Sequence, residues 1–182
     1  MSPVGHSLVG LSLAAIAMPP SRGRFWKTGL LVSFVALANL PDWPIANWGH
    51  DRYDISHSIF VNISLIGLTT LVWLITPRLK SSLPLPCFLL ALSAWLSHLL
   101  LDSFYNHGLG IAIYWPFSDG RLNFAMPWFN TLDLSQSITS QHNLYVYFIE
   151  FIAYGPVLIL ALVVGKILNR ETTTIPQNKN AG

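Results

Sequence analysis

The sequence predicts an all-α membrane protein, a polytopic helical bundle of about five transmembrane helices. Three observations predict it. Of 182 residues, 52 % are hydrophobic and 10 % charged, with a mean hydropathy of +0.49, which is a membrane composition. The apolar residues fall in long runs punctuated by Pro19-Pro20, Pro41, Pro77 and Pro84. Lys and Arg are segregated between alternate runs.

The first run is Val4–Met18. Because no Lys or Arg occurs before Arg22, it lacks the charged flank of a signal peptide and is expected to remain as a span. The second, Thr28–Leu40, is short for a hydrocarbon core of ~30 Å at ~1.5 Å per residue, so Asp42 lies in the outer bilayer or is sheltered by neighbouring helices. His57–Thr76, Leu85–Asp102 and Leu144–Leu168 complete the set. Between the last two, Tyr105, Tyr114, Trp115, Phe117, Phe124, Trp128 and Phe129 predict an interfacial aromatic layer, with a lid over a substrate as the alternative. Residues 1–170 form one domain in this reading, and the polar stretch 171–182 is expected to be disordered.

Eight of the ten basic residues fall between runs one and two, between three and four, or after five. The positive-inside rule makes that side cytoplasmic, with the N-terminus outside and the C-terminus inside. The six histidines and six of the eight acids then gather at the outer ends of helices or in outer loops, although none was used to assign the topology. That gathering points to one site at the outer face.

The helix dipoles sharpen the expectation. Asp42 and Asp102 end outward-running helices, where a carboxylate is unfavourable without a cation. His6 and His57 begin inward-running ones, where the positive helix end disfavours imidazolium and keeps the ring neutral, as a metal ligand must be. Cys87 is the single cysteine, which excludes an internal disulfide and a thiolate cluster, so a metal would be held by His and carboxylate. No basic patch with interleaved aromatics suggests nucleic acid. His98 and Asp102, four residues apart, share one helix face and are suited to bridging by a metal; the alternative is a His–Asp hydrogen bond that only staples helices. A small residue, Gly5, Ser56 or Ser97, precedes each of His6, His57 and His98, which allows close helix approach.

Taken in order, Gly5-His6-Ser7-Leu8-Val9-Gly10, Leu40-Pro41-Asp42, Ser56-His57-Ser58, Ser97 to Asp102, and Tyr114-Trp115-Pro116-Phe117-Ser118 resemble the YdjM-type family of membrane-bound, metal-dependent hydrolases of the inner membrane. The resemblance covers about residues 3 to 125. It implies His6, Asp42, His57, His98 and Asp102 as metal positions, the same five that topology selects, and it adds hydrolysis as the expected chemistry. The family's His-Arg-Gly triplet before the third motif aligns with Arg52, Tyr53 and Asp54; His50-Asp51-Arg52 stands two residues earlier, which makes His50, with His107, an additional candidate ligand. The second acid of the family's Leu-Pro-Asp-Leu-Asp is absent, since Trp43 and Pro44 follow Asp42.

The leading expectation is therefore metal-assisted hydrolysis of an ester or phosphoester in a small or lipid-like amphiphile, at the outer face of the cell's inner membrane. Imidazoles with one or two carboxylates suit Zn²⁺, with Mn²⁺ or Fe²⁺ as alternatives. Asp51 and Asp54 are candidates to orient or deprotonate water. Arg52 and Arg121, the basic residues of the outer side, are candidates for an anionic substrate group. The alternatives are a transporter, which needs polar groups at several depths, and a non-catalytic membrane protein with a structural metal.

Overall fold

The computed structural model describes residues 1–44, 48–106, 110–124 and 126–174, with the side chains of residues 50, 51 and 170–174 outside the description. Among the described residues the chain is all-helical, with seven α-helices in the order α1 (Pro3–Ala17), α2 (Arg24–Ala38), α3 (Tyr53–Ser56), α4 (Ile59–Ile75), α5 (Pro77–Ser82), α6 (Leu85–Asp102) and α7 (Gln141–Thr174). Short 3₁₀ turns cover Leu40–Asp42 and Gly49–Arg52. All five apolar runs are helical. By length and composition two of them, α6 and the Gln141–Asn169 part of α7, are sufficient to cross a membrane, whereas α1 and α4 are shorter apolar helices.

Local chemistry explains where the helices start. Ser2 caps α1, its hydroxyl accepting from the Val4 amide at 3.1 Å, and Pro3 occupies the first turn where no amide partner is needed. Ser58 caps α4 in the same way through the Val61 amide. The Pro19-Pro20 and Pro84 breaks fall between helices, as expected from a residue that removes a donor and restricts its predecessor.

Helix α1 is central and packs against α7, α2 and α6, while α2 also packs on α6. The core between them is built from small and medium side chains: Ala14, Ala17, Leu30, Phe34, Cys87, Ala91 and Ala94. Small residues bring the backbones together without a strong hydrophobic force between helices. At Gly10 an added Cβ would lie 2.8 Å from the Phe34 carbonyl oxygen, so this glycine sets the α1–α2 distance. The outer faces are apolar instead of polar. Only 11 % of the α7 window is buried, and Phe148, Ile152, Ile159 and Leu160 are exposed along it, which is the inverse of a soluble core helix.

The segment between α6 and α7 is tied to the bundle by backbone bonds. Ile59 donates to the Ile113 carbonyl at 2.9 Å, Phe124 to Ser103 at 2.7 Å, and Asn106 to Phe129 at 2.9 Å. Phe117, Phe124 and Trp128 are exposed, as an interfacial layer requires. Tyr105 differs: it is buried and stacked on Phe129 with ring centroids 4.9 Å apart, because its hydroxyl finds polar partners on α7. The polar tail also differs at its start, since α7 continues to Thr174; once a helix is nucleated, each further residue adds a bond at little cost. The remaining tail, 175–182, lies outside the described residues.

Candidate metal centre

Four separate elements deliver five ionisable side chains to one end of the bundle. His6 comes from the first turns of α1, Asp42 from the 3₁₀ turn after α2, His57 from the junction of α3 and α4, and His98 and Asp102 from the last turns of α6. All three imidazoles are fully buried; Asp102 is 1 % exposed and Asp42 13 %. Asp102 Oδ1 lies 3.3 Å from His6 Nε2, and its Oδ2 lies 3.3 Å from His57 Nε2 and 3.4 Å from His98 Nε2. Asp42 reaches His57 Nε2 at 3.3 Å and His98 Nε2 at 3.6 Å. Ligand atoms of His6, Asp42, His98 and Asp102 all lie within 4.8 Å of one another, and His57 Nε2 stands 3.2 Å from His98 Nε2.

The proton positions decide what this cluster can hold. His98 Nδ1 is 2.8 Å from the Ala38 carbonyl, which can only accept, so Nδ1 carries the proton and the Nε2 lone pair faces the carboxylates. His57 is held likewise: its Nδ1 contacts the Tyr53 carbonyl at 3.2 Å and the Ser56 hydroxyl at 2.8 Å, and that hydroxyl donates onward to the Gly49 carbonyl at 3.3 Å. In that tautomer the two Nε2 lone pairs stand 3.2 Å apart among carboxylate oxygens, where a proton or a cation satisfies them. His6 stacks on His98 with centroids 3.7 Å apart, and its Nε2 faces Asp102 Oδ1 at 3.3 Å. A divalent cation fits this set. It would convert converging acceptors into ligands and balance two carboxylates that would otherwise remain buried at a cost of several kcal/mol each.

Burial works to raise Asp42, but hydrogen bonds from His57 and His98, when their Nε2 atoms carry that proton, outweigh it and hold its carboxyl well below the usual range. Tyr53 is stacked on His57 at 3.7 Å; burial and the charges of Asp102 and Asp42 raise its phenol well above the usual value, so it is a protonated donor at neutral pH.

A layer of orienting contacts surrounds the five. Asn62, buried in α4, donates to the Ser56 and Ser58 carbonyls at 2.8 Å each and accepts from Trp95 Nε1 at 2.7 Å, so one amide clamps both sides of His57 and ties it to α6. Glu150 of α7 accepts from the backbone amides of Ser2 at 2.7 Å and Gly5 at 3.0 Å and from the Ser2 hydroxyl. This carboxylate at a helix N-terminus fixes the turn that carries His6. Gly5 suits this close approach, since a Cβ would meet Met1 Cε and lie 3.0 Å from Glu150 Cδ. Gly49 has φ 57, and a Cβ would also meet the backbone of Trp43, so this glycine lets the loop close over Asp42. The Met1 backbone nitrogen donates to Asp102 Oδ1 at 2.8 Å.

Two cavities open near the cluster and share the Tyr53 ring as a wall. The first, about 330 Å³, touches Asp42, Asp102, Pro3, Thr131 and Leu134. The second, about 610 Å³, is lined by Asp54, Trp115, Ser118, Asp119 and Arg121.

A family model described as YdjM inner membrane protein matches residues 1–172. The chain belongs to the YdjM family. This places it among membrane proteins, in agreement with the apolar exterior of α6 and α7. Comparisons with curated proteins and with solved structures gave no match.

The structure brings together His6, Asp42, His57, His98 and Asp102. Other expected residues fall elsewhere. Asp54 pairs with Arg52 at 3.8 Å, with both side chains over a third exposed, and Asp54 lines the second cavity away from the carboxylate pair. Arg121 donates to the Gly110 carbonyl at 3.2 Å and lines that same cavity. His142 is exposed and contacts the Thr131 carbonyl. His107 lies outside the described residues, as do the side chains of His50 and Asp51. Sequence reasoning assigned no role in the site to Tyr53, Trp95 or Asn62; Asn62 carried a signal, being the one amide within an otherwise apolar run.

Proposed function

We propose that the chain is a multi-pass, membrane-bound, metal-dependent hydrolase acting on an ester or phosphoester of an amphiphilic substrate at the outer face of the inner membrane. The observation that carries this reading is the convergence of three imidazoles and two carboxylates beside a cavity that touches Asp42 and Asp102. His6, Asp42, His98 and Asp102, with His57, would hold a divalent ion, and their nitrogen-rich donor set favours Zn²⁺ over Mn²⁺ or Fe²⁺. Such an ion supplies Lewis acidity and a water whose pKa is lowered toward ~7.

The chain's own residues supply the rest. Ala38 and Tyr53 carbonyls hold His98 and His57 in the tautomer that presents Nε2. Tyr53, protonated at the wall between the cavities, would donate to a substrate oxygen that reaches its phenol. Arg121 and Arg52 give the outer entrance positive charge for a phosphate or carboxylate, and Asp54 or Asp51 would take a proton from water. The apolar Leu134 and Trp115 at the cavity rims suit an acyl or alkyl portion.

The test is elemental analysis of detergent-purified protein beside His98→Ala and Asp102→Ala, followed by hydrolysis of a panel of chromogenic carboxylic and phosphate esters. One equivalent of metal and turnover, both lost in each variant while the protein stays folded, is the expected result. Protein without stoichiometric divalent metal would sink the reading. A structural metal is the second reading, favoured by the complete burial of the three histidines. It is separated by Co²⁺ substitution: a visible spectrum that shifts with added phosphate marks an open coordination position, and an unresponsive spectrum marks a closed site.

A further inference from the structure

At the opposite end of the bundle, α1, α2 and α7 enclose an apolar groove of about 740 Å³. Leu11, Leu31, Leu158 and Leu162 form its walls, and the small residues Ala15 and Gly165 form its floor. Gly165 packs directly on the Ala15 carbonyl, so the helices are close and the space above them is a trough instead of a filled ridge. Along α7 the lining runs from Leu158 to Asn169, about 16 Å at the helical rise, which matches the ~15 Å hydrocarbon depth of one leaflet.

The groove's mouth is positively charged. Lys27 and Lys166 both line it, and the Lys27 ammonium donates to the Pro20 carbonyl at 3.1 Å, which holds it at the rim. No Asp or Glu is among the described lining residues, and no acid precedes Asp42 in the sequence. Asn169 donates to the Met18 carbonyl at 3.0 Å and closes the end between α1 and α7. An apolar trough one leaflet deep, capped by two lysines that no carboxylate in its lining neutralises, is complementary to one class of molecule, an anionic phospholipid.

We infer that this groove is a binding site for an anionic phospholipid of the leaflet that faces the basic loops, with an acyl chain along Leu158 and Leu162 and the phosphate between Lys27 and Lys166. The site is independent of the metal cluster, which lies at the other end of the same helices.

The full-length protein, purified in neutral detergent, is incubated with phosphatidylglycerol, phosphatidylcholine or palmitate, and retained lipid is counted by native mass spectrometry. One phosphatidylglycerol retained at least tenfold better than phosphatidylcholine is expected, with that preference lost in the Lys27→Glu/Lys166→Glu double variant and kept in Arg78→Glu. Equal retention of the two phospholipids, stronger retention of palmitate, or an unchanged preference in the double variant overturns the proposal. If the double variant does not fold, wild-type protein is photolabelled with phosphatidylglycerol carrying a diazirine in its acyl chain. Adducts on peptides spanning Leu158 to Asn169 support the site, and adducts confined to α4 or α6 overturn it.

Discussion

At one end of the bundle three imidazoles and two carboxylates lie buried within 3.2–3.6 Å contacts, and at the other Lys27 and Lys166 rim an apolar groove without an acid in its lining. Both ends concentrate charge, but they differ in what pays its solvation. The three imidazoles and Asp102 at the first end have given up nearly all contact with water, so each needs a partner of opposite character inside the protein; His98 and His57 have theirs on Nδ1 and turn Nε2 inward. At the second end long lysine stems keep the ammonium groups at the interface, where water or lipid headgroups solvate them. Buried charge therefore marks a site that demands a specific ion, and rim charge marks one that selects a class of ligand.

The largest effect that would break this contrast is at Asp102, which contacts all three histidines. Asp102→Ala is expected to abolish stoichiometric metal binding and to destabilise the protein by about 3–5 kcal/mol, the range for breaking a buried ionic pairing. Elemental analysis and thermal melting in detergent check it together. If the variant melts like wild type with its metal retained, Asp102 is not the centre of the cluster.

Asn62→Leu comes next. It leaves the Ser56 carbonyl and the Trp95 indole N–H without their buried partner. Two unsatisfied groups cost about 2–5 kcal/mol. Because His57 sits between the two clamped carbonyls, a drop in metal affinity of roughly 10–100-fold is also expected, the usual size for an orienting contact. Competition with a fluorescent zinc chelator reads that shift directly. Asn62→Leu with normal affinity would mean that His57 is not among the ligands.

How much of this was legible in the sequence follows from which interactions are local. Apolar runs and proline breaks are read along the chain, and all five runs are helices. The five clustered residues were also accessible, because membrane topology turns sequence position into depth: a His at the start of one run and an Asp at the end of another must lie at the same side. Whether each run crosses the bilayer was less accessible, since α1 and α4 are shorter than the two helices long and apolar enough to do so. The orienting contacts were hidden for a different reason. That Ala38 offers a carbonyl to His98, or that Glu150 caps α1 from α7, depends on tertiary packing across 60 and 148 residues of sequence. The position of Asp54 was hidden in the same way: its pairing with Arg52 and its place on the second cavity depend on the α3 turn and on no pattern along the chain.

A smaller perturbation at the histidine-bearing end is Glu150→Gln. The amide keeps one oxygen for the Ser2 or Gly5 N–H but turns a second donor against the other, and it removes a charge from the positive end of α1. A loss of about 1–2 kcal/mol is expected from these two contributions. Metal affinity should fall only a few-fold, since Glu150 fixes the turn bearing His6 and touches no ligand atom. Equal losses in Glu150→Gln and His6→Ala would make Glu150 part of the centre itself.

The smallest structural effect is expected at Arg52, and there the two kinds of charge meet. Its guanidinium is 3.8 Å from Asp54 with 48 % and 37 % of the two side chains exposed, so solvent screens the pair and Arg52→Ala should change stability by no more than about 0.5 kcal/mol. Yet Arg52 and Arg121 are the basic residues that the sequence assigns to the acidic end. If they serve an anionic substrate, Arg52→Ala raises KM for a phosphate ester by several-fold while leaving an uncharged ester of similar size unaffected, with metal content and melting unchanged. An equal rise for both esters would assign Arg52 to holding the loop. No rise for either would leave the outer end without a guanidinium contribution from this residue, and the selection of anionic ligands would then belong to the lysine-rimmed end alone.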